Sequence, residues 1–349
     1  MVSTKTMRQT GILAALAAAV LFGAGTPLAK WLLDSASPWM MAGLLYLGSG
    51  IGLGLYRQFI KAPAVHLPWS EVPWFAGAIL MGGIVAPVLL MFGLLGMPAA
   101  GASLLLNAES AFTALVAWII FKENVDRRIA LGMAAIVVGA VILSWPGDVQ
   151  VSGLWPTLAI LGACFAWGID NNLTRKVALA DSTWIATVKG LVSGPVNLAL
   201  AFTMGASLPA LSIVAGSLVV GLFAYGISLA LFVVGLRHLG TARTGAYFSV
   251  APFFGALVAL LMGDTVTIQF LIAGALMAVG VWLHLTEHHD HEHTHEDMIH
   301  DHEHTHDEHH LHEHDELVLS DCRHSHPHSH DSLTHTHSHY PDSHHRHGH

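Results

Sequence analysis

Ten times between residues 10 and 285 the chain runs for about twenty residues almost without charge. At about 1.5 Å of rise per residue, one such run makes a helix that crosses a hydrocarbon core about 30 Å thick. Only helices and closed barrels satisfy every backbone polar group there. The runs fall at 10 to 31, 38 to 59, 72 to 95, 98 to 121, 128 to 146, 154 to 174, 182 to 204, 210 to 236, 242 to 262 and 266 to 285. The chain is 53% hydrophobic and only 11% charged, where an average soluble domain carries about a quarter charged residues. The expected fold is an all-α membrane protein of ten transmembrane helices, with the lipid bilayer as a partner and no nucleic acid.

Charge is segregated along the chain. Residues 1 to 286 hold 13 Lys and Arg against 9 Asp and Glu, a net of +4, whereas residues 287 to 349 hold 2 against 15, a net of −13. Positive residues stay on the cytoplasmic side of a membrane. With the N-terminus inside, the inner segments carry Lys5, Arg8, Arg57, Lys61, Lys122, Arg127, Arg128, Arg175, Lys176, Arg237 and Arg243, and the outer side carries only Lys30. Residues 1–9 are then a cytoplasmic N-terminus, and ten spans return the chain inside. The expected location is a plasma (inner) membrane with both termini cytoplasmic. Two cysteines, Cys164 in an apolar run and Cys322 in the tail, supply no disulfide framework.

The two halves of the body resemble each other. LFGAGTPLAKWLLDSASPW at 21 to 39 matches AWGIDNNLTRKVALADSTW at 166 to 184 with a constant shift of 145, pairing Gly23 with Gly168, Lys30 with Arg175 and Trp39 with Trp184. LGMPAAGA at 95 to 102 falls against LGTARTGA at 239 to 246, and FTALVAWIIFKENV against FGALVALLMGDTV. Residues 10–146 and 154–285 are therefore two five-span repeats. Because five is odd, the second copy is expected upside down relative to the first.

This layout is similar to the EamA family of the drug/metabolite transporter superfamily. The resemblance rests on the five-plus-five plan, on the acidic residues Glu123 and Asp264 ahead of a Gly-rich last span in each half, and on Pro252 opening that pattern in the second half. It implies a transporter of small metabolites, usually outward, without naming the substrate.

Charged side chains inside a span are costly and mark site candidates. Glu109 lies in the fourth span, where Ser103, Asn107, Glu109, Ser110 and Thr113 would share about half the circumference of a continuous helix. It either binds a cation or proton, or is a carboxylate locked by a partner such as Lys189. Asp170, Asn171 and Asn172 stand opposite Gly25, Thr26 and Pro27 of the first half. They mark either interrupted helices around a substrate site or plain helix termination. Lys189, deep in the seventh span, has Glu109, Asp170, an anionic solute or the membrane interface to reach for. Pro87 is expected to kink the third span. No nucleophile motif, phosphate loop or His-Glu-x-x-His helix occurs, so no enzymatic activity and no required cofactor are expected.

From His288 to His349 there are 24 histidines in 62 residues. With few apolar residues, residues 286–349 are expected to form a disordered cytoplasmic tail. Its imidazoles, among them His291, His293, His295, His302, His304, His306, His312, His314, His326, His328 and His330, suit zinc, nickel, cobalt or copper. The functional expectation is a secondary transporter exporting a small solute by alternating access, with a metal-binding regulatory tail. The alternatives are a divalent-metal exporter fed by the tail, with the metal ion as substrate, and a membrane-tethered metal sensor. The sequence is silent on oligomeric state.

Overall fold

The computed structural model describes residues 4–121, 127–144, 154–177, 180–239 and 241–285, and in the tail residues 290–295, 298–304, 324–330 and 333–338. The chain divides into two units, Met1–Glu287 and His288–His349. Glu123 lies outside the described residues.

The body is helical. Its first half comprises α1 (Thr4–Leu33), α2 (Pro38–Phe59), a third run of α3 (Val72–Ala78), a π-helical turn (Ile79–Val85) and α4 (Ala86–Leu95), a fourth run of α5 (Ala99–Leu105) and α6 (Ala108–Phe121), and α7 (Arg127–Ser144). The second half repeats the order: α8 (Trp155–Arg175), α9 (Ser182–Thr203), then α10 (Leu211–Val220), a π-helical turn (Gly221–Ile227) and α11 (Ser228–Leu239), then α12 (Thr241–Phe248) and α13 (Ala251–Leu261), and α14 (Ile268–Leu285).

Among the described residues, six stretches are long and apolar enough to cross a membrane: Gln9–Leu33, Pro38–Phe59, Val72–Leu95, Ala99–Ile120, Ser182–Thr203 and Leu211–Gly235. The other four expected spans are also helical but fall short of that standard. The apolar parts of α7, α13 and α14 are short, at Ala130–Leu143, Ala251–Leu261 and Ile268–Leu283. Helix α8 carries Asp170, Asn171, Asn172 and Arg175 in its last two turns.

The helix irregularities differ from expectation. Helix α1 runs unbroken through Gly25, Thr26 and Pro27, and α8 through Asp170, Asn171 and Asn172. The matching interruptions instead lie in the third and fourth runs of each half. The fourth run breaks at Leu106–Asn107 in one half and Ser249–Val250 in the other. At the first break Asn107 bonds its amide to Leu104 O, and the Ser110 hydroxyl bonds Asn107 O. Such local side-chain bonds compete with the helix ladder. The Ser103 to Thr113 polar face is thus split between two helices.

In the third run, the Ala86 amide reaches back five residues to Met81 O. The next residue, Pro87, has no N–H to give. The carbonyls of Gly82 and Gly83 take side-chain donors from other helices instead. Pro87 therefore acts by freeing acceptors in the middle of a span.

Equivalent helices of the two halves pack on each other along small residues, as helices in lipid do. Along α2 and α9, Gly43 meets Leu198, Gly194 meets Leu47, Gly50 meets Gly190 and Gly54 meets Thr187, so the two run antiparallel. Helix α7 meets α14 in the same sense, with Gly139 at Met277 and Gly280 at Gly132. The first helix of each half crosses the fourth run of the other: Gly23 lies on Ala251 and Gly255, and Gly168 on Phe112 and Thr113. Phe22 and Trp167, related by the 145-residue shift, meet edge to face at 5.7 Å between the halves.

In the tail, where no regular structure was expected, the backbone forms two antiparallel ladders. Strand β1 (Asp290–His295) pairs with β4 (Leu333–Ser338), and β2 (Met298–His304) with β3 (His324–His330). The period-two His-x-His spacing matches the strand repeat. A lone two-stranded ribbon has little stability of its own in water.

Candidate functional site

The centre of the body holds one acid and one base. Asp170, near the end of α8, accepts from the Lys189 ammonium of α9 at 2.6 and 2.7 Å. The Lys189 side chain is 2% exposed and that of Asp170 8%, so the pair is shielded from water. The Thr174 hydroxyl, one turn on, donates to Asp170 Oδ1 at 2.8 Å. Of the two carboxylates open to Lys189 in the sequence, the structure pairs it with Asp170 and leaves Glu109 to another partner.

The pair sits against the first π-helical turn. A Cβ on Gly82 would occupy the space of the Asp170 carboxylate, and one on Gly83 that of the Ser193 hydroxyl. Only glycines let the backbone come this close. The Gly82 carbonyl, freed by Pro87, accepts from the Tyr46 hydroxyl at 2.5 Å and from the Trp167 indole at 3.1 Å. The Gly83 carbonyl accepts from the Asn197 amide at 3.0 Å. Helices α2, α8 and α9 are thereby tied to one turn of the third run.

The contact is not duplicated in the other half. Gly25, the counterpart of Asp170, lies on Ala224 in the second π-helical turn. Among the described residues, a charged pair packs on the first π-helical turn and not on the second.

A second polar cluster lies between α6 and α8. Asn171 donates to Glu109 Oε1 at 2.9 Å and to the Thr113 hydroxyl at 3.2 Å. Asn172 bonds the carbonyls of Thr113 and Gly168. Asn107, fully buried, contacts Met277 through its amide while its Oδ1 has no partner. The end of α8 thus holds Lys189 through Asp170 and Glu109 through Asn171, but Asn107 and Ser110 bond locally rather than joining the ion pair.

Sequence reasoning did not place Tyr46, Gly82, Gly83, Trp167, Ser193 or Asn197 at the site. Two signals were present. A Gly-Gly pair four residues ahead of Pro87 marks freed carbonyls, and Lys189, Ser193 and Asn197 recur every fourth residue on one helix face.

Beyond the spans, Asp181 caps α9 through the Trp184 amide and takes Arg57, at the end of α2, at 2.5 Å. Burial pushes the Asp181 carboxyl up, but the Thr183 hydroxyl, the Trp184 amide and Arg57 outweigh it and hold it below the usual carboxylate range. A lowered folded pKa gives stability that is present above the unfolded value and lost as pH falls through the folded one. The melting temperature of wild type is expected to exceed that of Asp181→Asn at neutral pH, and the gap to close only below about pH 4.

The tail strands place His291, His293 and His295 on β1, His302 and His304 on β2, and His326, His328 and His330 on β3. The register sets His291 opposite His337 and His293 opposite His335, and His300, His302 and His304 opposite His328, His326 and His324. His306, His312 and His314 lie outside the described residues. Among the described residues, no group of three or more His, Cys, Asp or Glu is placed to hold a metal ion.

Apolar spans enclosing a shielded acid and base between two similar halves define a multi-pass membrane protein with a polar centre. Residues 9–145 and 154–286 each match the EamA-like transporter family, and the chain belongs to that family. It is a membrane transporter of small solutes. An uncharacterized transporter of Methanothermobacter thermautotrophicus is 28% identical over 299 residues, spanning 79% of this chain and 86% of its own. A probable amino-acid metabolite efflux pump of Salmonella typhimurium is 26% identical over 211 residues, 54% of this chain and 68% of that one. A solved crystal structure shares the fold with a TM-score of 0.60 at 16% identity, over 80% of this chain and 95% of that one.

Proposed function

We propose that the protein is a secondary transporter that exports a small polar solute from the cytoplasm by alternating access of two inverted five-helix halves. The observation that carries this reading is the Asp170–Lys189 pair, buried between the halves and packed on a helix turn whose ladder is interrupted. A buried pair adds little stability compared with apolar residues of the same size. Inside a membrane, such a pair is better explained as a site that trades partners with a solute. The antiparallel pairing of equivalent helices supports the inverted arrangement, and the similarity to the Salmonella efflux pump supports outward transport of a metabolite. The test is a growth screen of a deletion strain across metabolites and metals, complemented by the full chain and by a chain truncated after Glu287. Hypersensitivity to a solute that either chain relieves is expected; indifference to every solute would count against the reading.

Glu109 takes the proton-coupling role. Its carboxylate is held by the Asn171 amide, which leaves it free of the buried cation. Glu109→Gln is expected to retain the fold and to flatten the pH dependence of solute efflux. An unchanged profile would remove Glu109 from coupling.

A second reading concerns the tail, because the strand register sets histidine opposite histidine and imidazole suits zinc, nickel, cobalt and copper. Equilibrium dialysis of the full chain against Ni²⁺ or Zn²⁺ is expected to show several bound ions, lost on truncation after Glu287. Equal binding by both chains would refute a metal-binding tail.

A further inference from the structure

Two buried polar atoms on the helix that carries Lys189 have no hydrogen-bond partner: Ser193 Oγ and Asn197 Oδ1, both on side chains without exposed surface. Buried polar groups are nearly always satisfied, so an orphan needs a reason. These two sit one and two turns beyond Lys189 on the same face of α9. That face lies on the first π-helical turn, with Ser193 against Gly83, the Asn197 amide on the Gly83 carbonyl and Asp170 against the adjacent Gly82. The seat thus combines one base, one acid and two vacant acceptors.

Charge selects what fits it. A solute with a single charge that enters between Asp170 and Lys189 pairs with one ion and strands the other in a dry interior. An uncharged solute replaces neither ion. A solute that carries an ammonium and a carboxylate replaces both at once, and its ammonium has N–H groups to spare for neutral acceptors.

We infer, resting on the transport reading above, that the solute is a zwitterion whose carboxylate takes Lys189 and whose ammonium takes Asp170, with Ser193 Oγ and Asn197 Oδ1 completing the ammonium seat. In the empty transporter the acid and base close on each other, and the solute opens them by supplying each with a substitute. The orphaned oxygens are the part of the seat that the closed pair leaves unused.

The experiment loads liposomes containing the full chain with a small-metabolite cell extract supplemented with the twenty common amino acids at equal concentration. Mass spectrometry identifies what leaves faster than from protein-free liposomes. One or more zwitterions are expected to exit, and Ser193→Ala to slow that exit about tenfold, the usual worth of one hydrogen bond to a charged group. Because Ser193 Oγ has no protein partner, the same variant should melt at or above the wild-type temperature. A purely structural hydroxyl, or one that only holds a water, would leave the exit rate unchanged and overturn the ammonium seat. Exit of other solutes without any zwitterion overturns the substrate class while leaving transport standing. Exit of nothing at all overturns both.

Discussion

Asp170→Asn is expected to destabilise the folded protein by about 3–5 kcal/mol, because it leaves the Lys189 ammonium buried without a counter-ion. Lys189→Met should cost a similar amount by stranding the carboxylate. The double variant Asp170→Asn with Lys189→Met removes both charges and is expected to recover most of the loss, since a buried pair replaced by neutral groups is often no less stable. Thermal unfolding in detergent reads the three values as a double-mutant cycle, and the coupling should be large because the groups touch at 2.6 Å. Additive losses would mean that the two charges do not depend on each other. Solvent screening does not soften this expectation as it would for a surface pair, since Lys189 is nearly fully enclosed.

Gly82→Ala is the second large effect. In an ordinary helix the change from Gly to Ala stabilises by about 0.5–1 kcal/mol. Here the new methyl occupies the place of the Asp170 carboxylate, so either the π-helical turn or the ion pair must move. Overpacking of this kind costs about 1–3 kcal/mol. Displacing Asp170 also disturbs the seat, and efflux is expected to fall with stability. Gly245→Ala is the control, because a Cβ there meets nothing within 4 Å. It should be neutral or mildly stabilising. Equal behaviour of the two variants in unfolding and efflux assays would show that the close approach at Gly82 has no consequence.

Much of the body was legible in its pattern. Span length pointed to an all-helical body, because burial in lipid leaves few options for an apolar run of twenty residues. Span interiors were harder to read. Asn107 looked like one member of a polar helix face, yet its own amide closes on Leu104 and ends the helix there. Gly25, Thr26 and Pro27 looked like a break, but α1 absorbs Pro27 and continues. The interruption fell at Gly82 and Gly83, where Pro87 withholds a donor and Tyr46, Trp167 and Asn197 lie within reach to replace it. That substitution depends on three residues distant in the chain, which no local pattern reveals.

The candidate site shows the same division. Asp170 and Lys189 were identifiable as charges out of place in apolar spans. Which carboxylate Lys189 would choose was not, because both are acidic residues in apolar spans and the order of spans along the chain does not say which side chains meet. Packing settled it: the Lys189 side chain reaches from α9 to Asp170 and Thr174 of α8, while Glu109 faces Asn171. In the tail, the alternation that suggested metal ligands also carries a strand period, and the ladders put histidine opposite histidine.

The most direct test of the account is solute efflux from liposomes containing either the wild-type chain or the double variant Asp170→Asn with Lys189→Met, each shown to be folded by its unfolding transition. The wild-type chain should release its solute and the folded double variant should release none above protein-free liposomes. Release by the double variant at the wild-type rate would show that the buried pair is not where transport happens.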